Sequence, residues 1–250
     1  MPNTALDADH LQLVDPANHA LDNRAKPTRR LCSVERYGRR ISEEMFMELR
    51  RNVLVVGDAG GIGAAVCAAL ASSWNPIVVD RDEEAASRVA VEIGGCAYRL
   101  DVGDVDCIQP CIDSIERECG DIDALVFAAG VIPPAQGPLQ TELAAWDRIL
   151  DINARGAYAV CRSVGLLMAS RGRGSIVMLS SLAGMMPTPH LVYGPSKAAM
   201  MNLAGALAVY LGRQGVRVNA VSPEPVRTPV IEASYARGER DPAVMARSVE

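Results

Sequence analysis

The chain has 250 residues, of which 49% are apolar, 22% charged and 4% aromatic, and its net charge is −5. That length suits one large α/β domain and is short for two. With no long basic block, few aromatics for base stacking and no apolar run near the roughly 20 residues of a membrane helix, neither nucleic acid nor a membrane is expected as a partner.

Residues 1–48 are rich in Asp, Asn, Arg and Pro and read as a flexible N-terminal extension, with a short helix over Ser42–Leu49 at its junction with the rest. The opening MPNTALDADH is polar and lacks the basic-then-apolar order of a secretory signal. Met45 and Met47 stand just ahead of the first strand. They leave two readings open: a true start at that point, or a genuine extension that packs on a partner subunit.

Residues 49–250 read as one domain. Val53–Val56 is a short apolar run ending in glycines, as a buried parallel strand does. Next come an Ala-rich helix (Ile62–Ser73), a strand (Ile77–Asp80), a helix (Asp82–Ile93), a strand (Cys96–Leu100), a helix (Val105–Cys119) and a strand (Ala124–Phe127). A long helix, straight or bent, is predicted over Glu142–Ser170. A strand at Ser175–Ser180, a helix at Tyr193–Arg213 and a strand at Val216–Val221 follow it. Strands alternating with helices of ten or more residues predict right-handed βαβ crossovers and a doubly wound parallel sheet, the Rossmann arrangement. Seven cysteines are scattered without a CxxC pair. Cys107 and Cys111 are one helical turn apart, but no second pair accompanies them, so no metal site is expected. The thiols fit a reducing cytoplasm.

Two local patterns carry chemistry. The first strand runs into Gly57-Asp-Ala-Gly60-Gly61-Ile62-Gly63. Glycines there allow a sharp turn, close approach of backbone to a pyrophosphate and tight helix-on-strand packing, and the next helix points its unpaired N–H groups at the anion. The spacing differs from the commoner G-x-G-x-x-G, and a tight structural turn is the plain alternative. Asp80 ends the second strand. A carboxylate at that place accepts the ribose hydroxyls of NAD and repels the 2′-phosphate of NADP, while the adjoining Arg81 softens that preference; Asp80 is otherwise a helix cap. The second pattern is Tyr193-Gly-Pro-Ser-Lys197, opening a helix. A spacing of four stacks phenol and ammonium on one helix face. A free tyrosine titrates near ~10, and an ammonium within about 6 Å stabilises the phenolate, giving an acid/base useful nearer neutrality.

From about Arg51 to Thr228 the chain resembles the classical short-chain dehydrogenase/reductase family. The glycine turn, Asp80, Asp101-Val102, Ala128-Ala129-Gly130, Asn153, Ser180-Ser181, the YxxxK and Val218–Pro223 stand in the family's order. The resemblance implies a Ser–Tyr–Lys–Asn mechanism. Tyr193 passes a proton to or from the substrate oxygen, and Ser181 steadies that oxygen, with Ser180 in reserve because the gap to Tyr193 is one residue short. Lys197 keeps Tyr193 acidic and grips the nicotinamide ribose, and Asn153 holds a water linked to the lysine. Asp101 is implied to read the adenine and Thr228 to touch the nicotinamide amide, with Val102, Pro223 and Val226 also beside the cofactor. NAD is preferred over NADP, the substrate is a small alcohol or ketone, and the protein is a homodimer or homotetramer. Three positions depart from the pattern: Val56 for a threonine, Phe127 for an asparagine, and Glu224 where Pro-Gly is usual. The family also continues through a lid, a helix and a last strand, whereas residues 229–250 supply only a beginning, so the sheet is expected to lack its C-terminal strand. These departures keep a second reading open, a nucleotide-binding or oligomer-partner protein without turnover.

Overall fold

The computed structural model describes residues 50–57, 59–132, 138–188, 190–224 and 226–236. The expected N-terminal extension, the helix at Ser42–Leu49 and residues 237–250 lie outside the described residues.

Six strands form one parallel sheet: β1 (Asn52–Val56), β2 (Asn75–Asp80), β3 (Cys96–Arg99), β4 (Ile122–Phe127), β5 (Gly174–Leu179) and β6 (Val216–Val221), in the order β3-β2-β1-β4-β5-β6. The order reverses between β1 and β4, so the crevice at the carboxyl ends of these two strands is the topological switch point at which doubly wound sheets bind ligands. The helices are α1 (Ile62–Leu70), α2 (Glu83–Ile93), α3 (Ile108–Cys119), α4 (Leu143–Leu150), α5 (Ala157–Ser170), α6 (Tyr193–Gly212) and α7 (Pro229–Ala236).

Side chains alternate across each strand, and the two faces build two cores. Leu54 and Val56 join Ile112 and Ile115 of α3, Val160 and Val164 of α5, and Met200 and Ala204 of α6. Val53 and Val55 join Cys67 of α1 and Val89 and Ala90 of α2. Phe127, which replaces a family asparagine, is fully buried in the first core. Burying such a side chain stabilises by roughly 1.5–3 kcal/mol, so the departure exchanges a polar brace for packing. Val56 is likewise buried, at 1% exposure.

The run expected as a single helix over Glu142–Ser170 is three pieces. Between α4 and α5 a π-helical turn spans Asp151–Gly156 and turns Asn153 into the interior, fully buried. Such one-turn insertions do not change apolar spacing enough to be read from sequence, and they gather at functional sites. At the other end of the sheet from the crevice, Arg171 after α5 grips both carboxylate oxygens of Glu116 on α3, at 2.9 and 3.0 Å, and the carbonyl of Ile122 at 3.0 Å. Nη1 serves both carboxylate oxygens and Nη2 the carbonyl, so this charge-assisted pair pins two helices to the start of β4.

Candidate active site

A crevice of about 870 Å³ runs along the carboxyl ends of the strands. Its size is within the range of small-molecule sites. One end is built almost wholly from backbone. Gly57 takes φ +89°, and a Cβ there would stand 2.2 Å from Ala129 Cα, so β1 and β4 close on each other only because residue 57 has no side chain. Gly57 N–H donates to the Val79 carbonyl at 2.7 Å and Ala128 N–H to that of Val56 at 2.8 Å, fastening the turn to both neighbouring strands. Gly61 stands at the N-cap of α1 with no side-chain cap and no acidic residue in the first turn, which keeps that end open to an anion. Gly57, Gly60 and Ile62 line the crevice, while Gly63 is buried within α1.

Asp80 is not the cap of the helix after it. Asp82 is, accepting from Ala85 N–H at 3.0 Å. The Asp80 carboxylate instead takes Ala59 N–H on one oxygen and Asp82 N–H on the other, both at 2.9 Å. It thereby ties the glycine turn to the end of β2 and faces the crevice with lone pairs to spare. Arg81 follows it and lines the same crevice, as does Arg88, an exposed residue on α2 that no motif marks. Arg88 sits within an ordinary amphipathic helix, and only the fold brings it to the crevice. Asp101, Val102, Ala128, Ala129 and Gly130 continue the wall. Asp101 is exposed and accepts Gly103 N–H at 2.9 Å, whereas Val102 is buried.

The other end is built from side chains. Tyr193 opens α6 and is half-buried, and Lys197, 5% exposed, sets its Nζ 5.8 Å from the Tyr193 ring centroid. Nζ donates to the Leu179 carbonyl of β5 at 2.9 Å and touches Met200 Sδ at 3.5 Å. The two candidate serines separate by environment. Ser180 is buried and donates its hydroxyl to the Lys197 carbonyl at 2.7 Å, fastening β5 to α6. Ser181 is half-buried on the crevice wall and accepts Ala183 N–H at 3.2 Å, a bond that uses an oxygen lone pair and keeps the hydroxyl proton for an incoming oxygen. Leu182–Gly184 then lies flat on α6, since a Cβ on Gly184 would meet the backbone of Lys197 and Ala198 at 2.8 Å. Asn153 sits behind the wall: its amide exchanges bonds with Val131, accepting from N–H at 2.8 Å and donating to C=O at 3.0 Å, and also donates to Ser196 Oγ at 3.0 Å.

Pro223, Val226 and Thr228 line the same end, with Met186, Thr188, His190, Glu224 and Ile231. Thr228 also starts α7, its carbonyl taking Glu232 N–H at 2.9 Å. Glu224 is exposed and is among the residues that line the crevice. Among the described residues no group of three or more His, Cys, Asp or Glu is placed to hold a metal ion, and no helix is long and apolar enough to cross a membrane.

Comparison with known proteins gives the following. A family model described as enoyl-(acyl carrier protein) reductase matches residues 56–249. D-threitol dehydrogenase of Mycolicibacterium smegmatis is 37% identical over 184 residues, covering 70% of each chain. Among solved structures, a Brucella melitensis 16M protein described as ribose-5-phosphate isomerase superimposes with TM-score 0.74 at 39% identity, covering 77% of this chain and 75% of that one. NAD+-bound xylitol dehydrogenase superimposes with TM-score 0.66 at 30% identity, covering 70% of each.

Proposed function

The chain belongs to the classical short-chain dehydrogenase/reductase family of oxidoreductases, and we propose that it moves a hydride between NAD(H) and a secondary alcohol or ketone, with Tyr193 as the proton donor and acceptor. The observation that carries this reading is that Ser181, Tyr193 and Lys197 line the same crevice as the glycine turn and Asp80, with the Lys197 ammonium 5.8 Å from the Tyr193 ring. The relatives named as dehydrogenases of D-threitol and xylitol support hydride transfer at a hydroxyl carbon.

The residues present fit a dinucleotide. The side-chain-free turn at Gly57, the open N-terminus of α1 and the carboxylate of Asp80 suit pyrophosphate and ribose in that order. When bound, the nicotinamide supplies or accepts the hydride. Everything else is the work of this chain. Tyr193 holds the proton that the substrate oxygen gains in reduction and loses in oxidation. Ser181 donates to that oxygen as negative charge develops on it. Lys197, anchored on β5, favours the phenolate by its charge. Asp80 selects NAD by accepting ribose hydroxyls, against the pull of Arg81 and Arg88 on a 2′-phosphate. The protein acts as a homodimer or homotetramer.

Glu224 favours a second reading, nucleotide binding without turnover, because a carboxylate lines the crevice where the family usually carries Pro-Gly. The two readings part in one experiment. NADH and NADPH are titrated by their fluorescence, and NAD+-coupled oxidation is then followed over a panel of secondary alcohols that includes D-threitol and xylitol. Turnover on any member supports the first reading, and binding with none supports the second. Tyr193→Phe is expected to lower kcat by about 10²–10⁴-fold with NADH affinity unchanged, and unchanged turnover would defeat the assignment.

A further inference from the structure

The helix that carries Tyr193 and Lys197 holds a third polar residue on its inner side. Ser196 is fully buried, at 0% exposure. Its hydroxyl donates to the Tyr193 carbonyl at 2.8 Å and accepts from Asn153 Nδ2 at 3.0 Å. Asn153, equally buried, spends its remaining amide groups on the N–H and C=O of Val131. An unbroken chain of hydrogen bonds thus runs from Val131, on the crevice wall, through the π-turn to the backbone of Tyr193. Serine is a poorer helix former than alanine, and a serine bonded back to the carbonyl three residues earlier does nothing for an ordinary helix. Helix formation alone therefore does not account for it.

The two partners of the pair are held differently. Lys197 Nζ is fixed to the sheet through the Leu179 carbonyl. The backbone of Tyr193 is fixed through Ser196 and Asn153 to the loop beyond Gly130. Removing the Ser196 hydroxyl releases the phenol's side of the pair and leaves the ammonium where it is. We propose that Ser196 is a positioning residue: by bonding the Tyr193 carbonyl and Asn153 together, it sets the first turn of α6 against the Gly130–Val131 loop and so holds the separation between the Tyr193 phenol and the Lys197 ammonium. The inference rests on the reading of Tyr193 as the acid/base.

The test needs no substrate. The chain has six tyrosines, and the phenolate absorbance of full-length protein titrated against pH, minus the same titration of Tyr193→Phe, isolates Tyr193. In the wild type that phenol is expected to ionise below the ordinary value of ~10. In Ser196→Ala it rises by about one pH unit, a tenfold loss of phenolate at a given pH, with NADH affinity unchanged. In Ser196→Thr, which keeps the hydroxyl, it returns to the wild-type position. If the alanine variant does not fold, Ser196→Cys takes its place with the same expectation, since a thiol keeps the volume and makes weaker bonds. A depressed wild-type phenol that Ser196→Ala leaves in place, or that Ser196→Thr moves as far as Ser196→Ala, overturns this inference alone. A wild-type phenol at the ordinary value overturns the reading of Tyr193 and this inference with it.

Discussion

The two ends of the crevice are made from different materials. At the glycine turn the wall is backbone: Gly57 is pressed onto Ala129, and Asp80 holds the turn through main-chain N–H groups. At the α6 end the wall is braced by side chains, Ser180 and Lys197 on it and Asn153 and Ser196 behind it, each buried and each bonded to an element distant in sequence. The first kind of wall is sensitive to added volume and the second to lost bonds. On the proposed reading the glycine end therefore recognises a shape shared by all dinucleotides, and the α6 end holds particular atoms at particular separations.

Substitutions at the two ends sharpen the contrast. The largest effect is expected from Gly57→Ala. A positive φ and the overlap with Ala129 each cost about 1–3 kcal/mol, so the melting temperature falls steeply and NADH fluorescence enhancement is lost, both measurable on the purified variant. A melt close to wild type would show that the close approach of β1 and β4 is dispensable. Ser181→Ala adds no volume and, on the proposed reading, removes one bond to the substrate oxygen. It is expected to lower kcat by about 10²–10³-fold while the melt and nucleotide affinity stay as they were. Ser180→Ala provides the control, since loss of the Lys197 carbonyl bond is expected to appear in the melt. Asp80→Asn is expected to have the smallest effect. Removing the charge leaves Arg81 and Arg88 to attract a 2′-phosphate, and the ratio of NADPH to NADH affinity rises by about tenfold, near 1.4 kcal/mol. An unchanged ratio would mean that Asp80 braces the turn without choosing the cofactor.

Legibility in the sequence divides along the same line. The glycine end was readable because its signals are local: an apolar run, then glycines, then a small-residue helix, with a carboxylate at the next strand's end. The Tyr193–Lys197 pair was readable for the same reason, a spacing of four on one helix. The bonds that steady the pair were not. The π-turn at Asp151–Gly156 interrupts what reads as a continuous helix, and Asn153 finds Val131 and Ser196 across 22 and 43 residues of chain. Ser180 and Ser181 are adjacent and identical and both line the crevice, and only the carbonyl of Lys197, 17 residues on, shows which hydroxyl is spent on a buried bond. Arg88 was passed over because nothing in an amphipathic helix says which exposed side chain faces a ligand. Phe127, a departure that looked like a weakness, is a core residue in the assembled sheet.

Taken alone, the sequence determined the alternation of strands and helices, the glycine turn and the helical register of Tyr193 and Lys197, because each follows from the conformations of a few consecutive residues. The tertiary structure decided which serine spends its hydroxyl on a buried bond, where the long helix breaks, and which buried groups bond the Tyr193 backbone and the Lys197 ammonium. Those outcomes depend on hydrogen bonds between segments tens of residues apart, whose partners are chosen only when the sheet is assembled and water has been excluded from between them.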